Sequence, residues 1–77
     1  MTPAEVILKL IDNAGSCRAF ARQIDEDVSD IFRWKAGKMK IKARAVVRIC
    51  RLYRDVKPHD LRPEWYEPDV RFVFEDK

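Results

Sequence analysis

Residues Phe20 to Trp34, FARQIDEDVSDIFRW, read as two short helices joined by a tight turn. Phe20, Ile24, Ile31 and Trp34 are spaced to meet on one side, and Ala21 falls where the helices would cross too closely for a larger side chain. Asp25 stands in the turn, where the backbone often needs positive φ, a conformation that Asp tolerates better than most residues. Asp27 can cap the second helix, and Asp30 in its first turn suits the positive end of the helix dipole. The pattern is of the helix-turn-helix kind, and in that reading the second helix would be the recognition helix, the one that lies in a DNA major groove.

The flanking sequence supplies supporting helices. Thr2-Pro3-Ala4-Glu5 is a capping box with proline at the first helical position, so a helix is expected from Pro3 to Asp12. Its apolar residues Val6, Ile7, Leu10 and Ile11 share one face, and Asn13-Ala14-Gly15 offers a stop. Ser16 can cap a helix over Cys17 to Gln23 that exposes Arg18 and Arg22. The next helix is expected from Val28 to Ala36, with Gly37 ending it and Lys38-Met39-Lys40 following as a basic connection.

A fourth helix is expected from Lys42 to Arg54. Ala43, Val46, Val47, Ile49, Cys50 and Tyr53 form its broad apolar face, while Arg44, Arg48 and Arg51 recur on another, turned to solvent, to a partner protomer or to DNA. Lys57 to Leu61 reads as one helical turn started by Pro58 and broken by Pro63. Trp65 and Tyr66 are expected to anchor the tail. Val70 to Phe74 is extended, either a short β-strand pairing with the same segment of a second subunit or a tail packed irregularly on its own helices. The expected fold is all-α: a four-to-five-helix domain over residues 1–66 and an extended tail over 67–77.

Composition bounds the function. Seventy-seven residues make one domain, and 47% hydrophobic content with two glycines excludes disorder. No apolar run is long enough for a membrane span or signal peptide, so the cytoplasm is the expected location. Cys17 and Cys50 are far apart without a CxxC pair and read as small buried residues; a lone His59, with a capping or surface role, builds no metal site. No nucleophile–base pair, paired carboxylates in an apolar setting or phosphate-binding glycine loop occurs, so neither an enzyme, a cofactor nor a small-molecule substrate is expected. The net charge of +3 hides a segregation: residues 33–57 carry ten basic side chains and one acidic, whereas each flanking part carries three basic and six acidic. Such a basic middle is the electrostatic footprint of a polyanion partner.

The run Phe20-Ala21-Arg22-Gln23-Ile24 followed by Ile31-Phe32-Arg33-Trp34 resembles the helix-turn-helix of small phage and prophage regulators of the Cro and YdaS type. Downstream, His59-Asp60-Leu61-Arg62-Pro63-Glu64 is similar to the His-Glu-Leu-Arg-Pro-Asp stretch of YdaS-like proteins, so the resemblance covers about residues 5–66. Asp25 stands where the pattern has glycine, and Glu26 where an apolar residue closes the turn onto the core. The resemblance implies a sequence-specific repressor that binds double-stranded DNA as a homodimer.

By position, Val28, Ser29, Phe32 and Arg33 would face base edges: Ser29 bonding a base or phosphate, Val28 and Phe32 touching thymine methyls, Arg33 pairing with guanine. Arg22, Gln23, Lys35, Lys38 and Lys40 would contact phosphates. Glu26→Val would be expected to stabilise the protein by restoring an apolar turn. The competing reading is a protein-binding helix-turn-helix factor, antirepressor or toxin-like, that uses the acidic start of the recognition helix. Cations sharing a face with that helix favour DNA, and exposed carboxylates with distant arginines favour a protein.

Overall fold

Thr2, Ser16 and Asp27 each begin a helix because a side-chain oxygen takes a backbone amide that the first turn leaves without a partner. Thr2 Oγ1 accepts from Glu5 N at 3.2 Å and Glu5 returns the bond to Thr2 N at 2.9 Å. Ser16 Oγ accepts from Ala19 N at 3.0 Å, and Asp27 Oδ1 accepts from Ser29 N at 3.1 Å. The computed structural model describes residues 1–75. It contains α1 (Pro3–Ala14), α2 (Cys17–Gln23), α3 (Val28–Lys35), α4 (Ala43–Leu52) and α5 (Pro58–Leu61), with no strand among the described residues. The domain is therefore all-α.

One apolar core joins these helices. Val6, Ile7 and Leu10 enter it from α1, Phe20 and Ala21 from α2, Ile31 and Trp34 from α3, and Ala45, Val46, Ile49 and Cys50 from α4. Ile24, Ile41 and Leu61 complete it. Each fully buried aliphatic or Phe side chain contributes on the order of 1.5–3 kcal/mol, so the core carries the fold without disulfides. α1 packs against α2, α3 and α5, while α4 packs against α5. Among the described residues the buried Trp34 Nε1–H has no acceptor, so the indole contributes chiefly by its volume.

Several boundaries and one face differ from expectation: α1 continues past Asp12 to Ala14, and Lys42 and Lys57 are the N-caps of α4 and α5 and not their first residues. α3 ends at Lys35, with Ala36 as its C-cap and Gly37 at φ +72°. α4 ends at Leu52, because Tyr53 leaves the helix to lay its ring beside Phe20, with centroids 6.3 Å apart, and to donate from its hydroxyl to Gln23. The buried face of α4 is Ala45, Val46, Ile49 and Cys50, the strict i, i+1, i+4, i+5 stripe. Ala43 and Val47 lie on the adjacent stripe with Arg51 and are exposed.

The tail is packed irregularly and forms no strand among the described residues. Phe72 and Phe74 lie partly buried on the core, and Phe72 stands edge-on to Tyr66 with centroids 5.5 Å apart. Arg51 and Arg54 sit over the Phe74 ring at 5.5 and 5.0 Å, and Arg71 donates to the Arg54 carbonyl at 3.2 Å. His59 Nδ1 lies 2.8 Å from the Tyr66 carbonyl; a carbonyl only accepts, so this nitrogen carries the proton and ties α5 to the tail. Trp65 remains half exposed beneath the Arg62 guanidinium, 3.3 Å from its ring centre.

Cys50 is buried as expected and its thiol is pushed up to about 11, first by burial. Cys17 is only partly buried, at the first position of α2. Among the described residues no helix is long and apolar enough to cross a membrane.

Ala21 is 4% exposed between α2 and its neighbours. Ala21→Glu should abolish the cooperative thermal transition seen by circular dichroism, because it overfills a close crossing and buries a carboxylate without a partner. A melting temperature equal to that of the parent would refute this placement.

Candidate nucleic-acid interface

α3 divides cleanly into an inner and an outer face. Ile31 and Trp34 are buried and Phe32 and Arg33 are exposed, while Ser29, partly buried, shares their stripe by its i, i+3, i+4 spacing. Phe32 is 49% exposed, unusual for so large an apolar ring, and the Arg33 side chain is 56% exposed. Val28 lies on the inner side, partly buried against the core. Three of the four residues expected to face bases thus share one surface, and the fourth turns away from it.

The turn before α3 is a Schellman motif. Glu26 N donates to Ala21 O at 2.9 Å and Asp25 N donates to Arg22 O at 3.4 Å, the paired bonds that close a helix end. Such a motif needs a left-handed residue, here Asp25 at φ +54°. The carbonyls of Ile24 and Asp25, left over by the helix, both accept from Arg48 Nη1 at 3.1 Å.

Glu26, next in sequence, points inward. Only 1% of its side chain is exposed, and it meets three cations: Arg44 Nε at 2.9 Å, Lys42 Nζ at 3.2 Å and Arg48 Nη1 at 3.4 Å. Arg44 also donates through Nη2 to the other carboxylate oxygen at 3.4 Å, making a two-pronged pair. Burial pushes the Glu26 carboxyl up, but the hydrogen bonds from Arg44 and Lys42 and their charges outweigh it and hold the group below the usual carboxylate range. Lys42 continues to Asp30 at 3.2 Å, and Asp30 in turn pairs with Arg33 at 3.1 Å.

The expectation that Glu26→Val stabilises the protein is therefore overturned, because the carboxylate is the hub of a satisfied ion network. Arg44 and Arg48, read as facing solvent, a partner or DNA, reach this hub with their guanidinium groups while much of each side chain stays in solvent. Sequence reading missed the pairing because Glu26 and its partners lie 16 to 22 positions apart; the only signal was an acidic run beside a chain segment overloaded with cations.

The remaining candidates vary. Arg22 and Lys38 are exposed and have no ion pair among the described residues, and Arg18, one helical turn before Arg22, is a further exposed cation of the same kind. Lys35 lies over the Phe32 ring at 4.8 Å. Lys40 pairs with Glu64 at 2.8 Å and holds that carboxyl down to about 2, with Arg62 assisting at 3.0 Å. Gln23 accepts from the Tyr53 hydroxyl, which fixes its position. Among the described residues no group of three His, Cys, Asp or Glu side chains is placed to hold a metal ion.

No protein-family model, no curated protein and no solved structure matches the chain. The resemblance to Cro and YdaS regulators rests on the residues quoted for it alone.

Replacing Glu26 with Val or Gln should lower stability by about 1–3 kcal/mol, less than for a wholly buried pair because the three cations keep access to water. Glu26 titrates lower folded than unfolded, so its contribution is fully present above the unfolded value and lost as pH falls through the folded one. Denaturant titrations of the parent and Glu26→Gln should therefore differ at neutral pH and converge under acid conditions. A gap that is constant with pH would show that the charge on Glu26 is not what stabilises the turn.

Proposed function

We propose that the protein is a sequence-specific DNA-binding regulator that lays α3 in the major groove. The observation that carries this reading is the exposed pair Phe32 and Arg33, with Ser29 one turn before them, beside a turn in which two carboxylates, Glu26 and Asp30, are paired with cations of the same chain. Glu26 and Asp30 are covered by Lys42, Arg44 and Arg48. The cations therefore share the side of α3's first turn, and Arg18, Arg22, Lys35 and Lys38 remain available for phosphates. Phosphate contacts position such a helix, and base contacts give it selectivity. The resemblance to Cro and YdaS proteins supports a repressor of phage or prophage type acting in the cytoplasm as a homodimer on paired half-sites.

A protein partner is the second reading, favoured by the exposed Phe32 ring and by Asp25, whose side chain is 94% exposed. Salt separates the two. Binding to duplex DNA should weaken steeply with salt as phosphate neutralisation releases counterions, whereas docking through Phe32 would depend on salt only weakly.

The decisive experiment selects a preferred duplex from a random pool and measures two variants on it and on single-base changes. Arg33→Ala should cost about 1–3 kcal/mol and relax discrimination at one base pair, while Lys38→Ala should weaken all sequences alike and lower the salt slope by about one. No duplex binding at low salt would overturn the proposal.

A further inference from the structure

The first turn of α3 carries a hydrogen-bond polarity that goes beyond general DNA binding. Asp27 Oδ1 receives two bonds, from Ser29 N at 3.1 Å and from Ser29 Oγ at 3.0 Å. An ionised carboxylate only accepts, so the Ser29 hydroxyl is the donor and its single proton is committed. What Ser29 can still offer outward is a lone pair. Asp27 Oδ2 takes no hydrogen bond among the described residues and offers the same. The carboxyl of Asp27 is held below its usual range, first by the Ser29 amide, so it is an acceptor at neutral pH.

One turn later the polarity reverses. Arg33 has only donors, and Asp30 holds its guanidinium at 3.1 Å. The exposed N-cap of α3 therefore offers acceptors, and the exposed Arg33 one to two turns later offers donors.

We propose that Asp27, with Ser29 locked to it, selects a cytosine by accepting from its N4 amino group, and that Arg33 takes a guanine close by in the same half-site. This rests on the DNA-binding reading above. In the major groove cytosine presents only a donor, guanine presents two acceptors, thymine an acceptor and a methyl, and adenine a donor beside an acceptor. A carboxylate with a hydroxyl lone pair beside it is repelled by the acceptors of guanine, thymine and adenine N7, and cytosine alone escapes that repulsion. Asp27 and Arg33 are six residues apart, about 9 Å along a helix, so the two bases lie within about three base-pair steps. Carboxylates at this end also oppose phosphate contact, so they exchange affinity for selectivity.

Asp27→Asn tests the idea without removing the cap, because asparagine caps helices as well as aspartate. Its amide oxygen can keep both Ser29 bonds while its NH2 replaces the outward oxygen, turning an acceptor into a donor. Duplexes selected from a random pool by the full chain at low salt should carry a fixed cytosine near a guanine. On those duplexes Asp27→Asn should lose about tenfold in affinity at the cytosine and prefer guanine or thymine there, with an unchanged melting temperature. A selected site whose base preferences are the same for parent and Asp27→Asn overturns the assignment and leaves the DNA reading standing. Absence of binding to any duplex removes both.

Discussion

The fold depends on a carboxylate that could not stand where it does alone. Glu26 is withdrawn from water at the point where α2 hands over to α3, and an unpaired charge there would cost several kcal/mol. Lys42, Arg44 and Arg48 remove that cost, and Arg48 in the same stroke satisfies the two carbonyls that the end of α2 leaves without donors. A turn that looks like a local feature is thus completed by the other half of the chain. The angle between α2 and α3 is consequently tied to the position of α4 by charge as well as by the shared apolar core.

This arrangement alters what the charge distribution means. The sequence places ten cations in residues 33–57, as though all were available to a polyanion. Several are paired with carboxylates of the same chain: Lys42, Arg44 and Arg48 with the acidic turn, Lys40 with Glu64. The cations left over come partly from α2, outside the basic segment. A lopsided stretch of sequence therefore marks both an internal clamp and a surface, and only the three-dimensional pairing tells them apart.

Features governed by neighbours in sequence were legible. The caps at Thr2, Ser16 and Asp27, the positive φ of Asp25 and the start of α5 at Pro58 follow from side chains acting across two or three residues. The inner and outer faces of α3 were legible because Ile31 and Trp34 keep helical spacing. Val28 was not, since its position in the first turn suits either face and the core claims it. α4 was misread at Ala43 and Val47 because these two apolar residues border the buried stripe, and only packing sets how wide that stripe is. The tail gave no periodic signal, as Phe72 and Phe74 are held by Tyr66 and by cations rather than by a ladder. At the candidate site, the hydrogen bond from Ser29 to Asp27 and the pairing of Arg33 with Asp30 were not legible, because both depend on side-chain orientation.

The aromatic tail has a further consequence for the sulfur chemistry. Cys50, Phe72 and Phe74 line one small cavity, so the tail lies over the only deeply buried thiol. Attack by an alkylating reagent needs both access to the sulfur and its anionic form, and the folded chain withholds each. Cys17, at the start of α2, is only partly buried and does not line that cavity. The two thiols thus form an internal clock pair, in which the labelling of Cys50 measured against Cys17 times the lifting of the tail from α4 without any added probe.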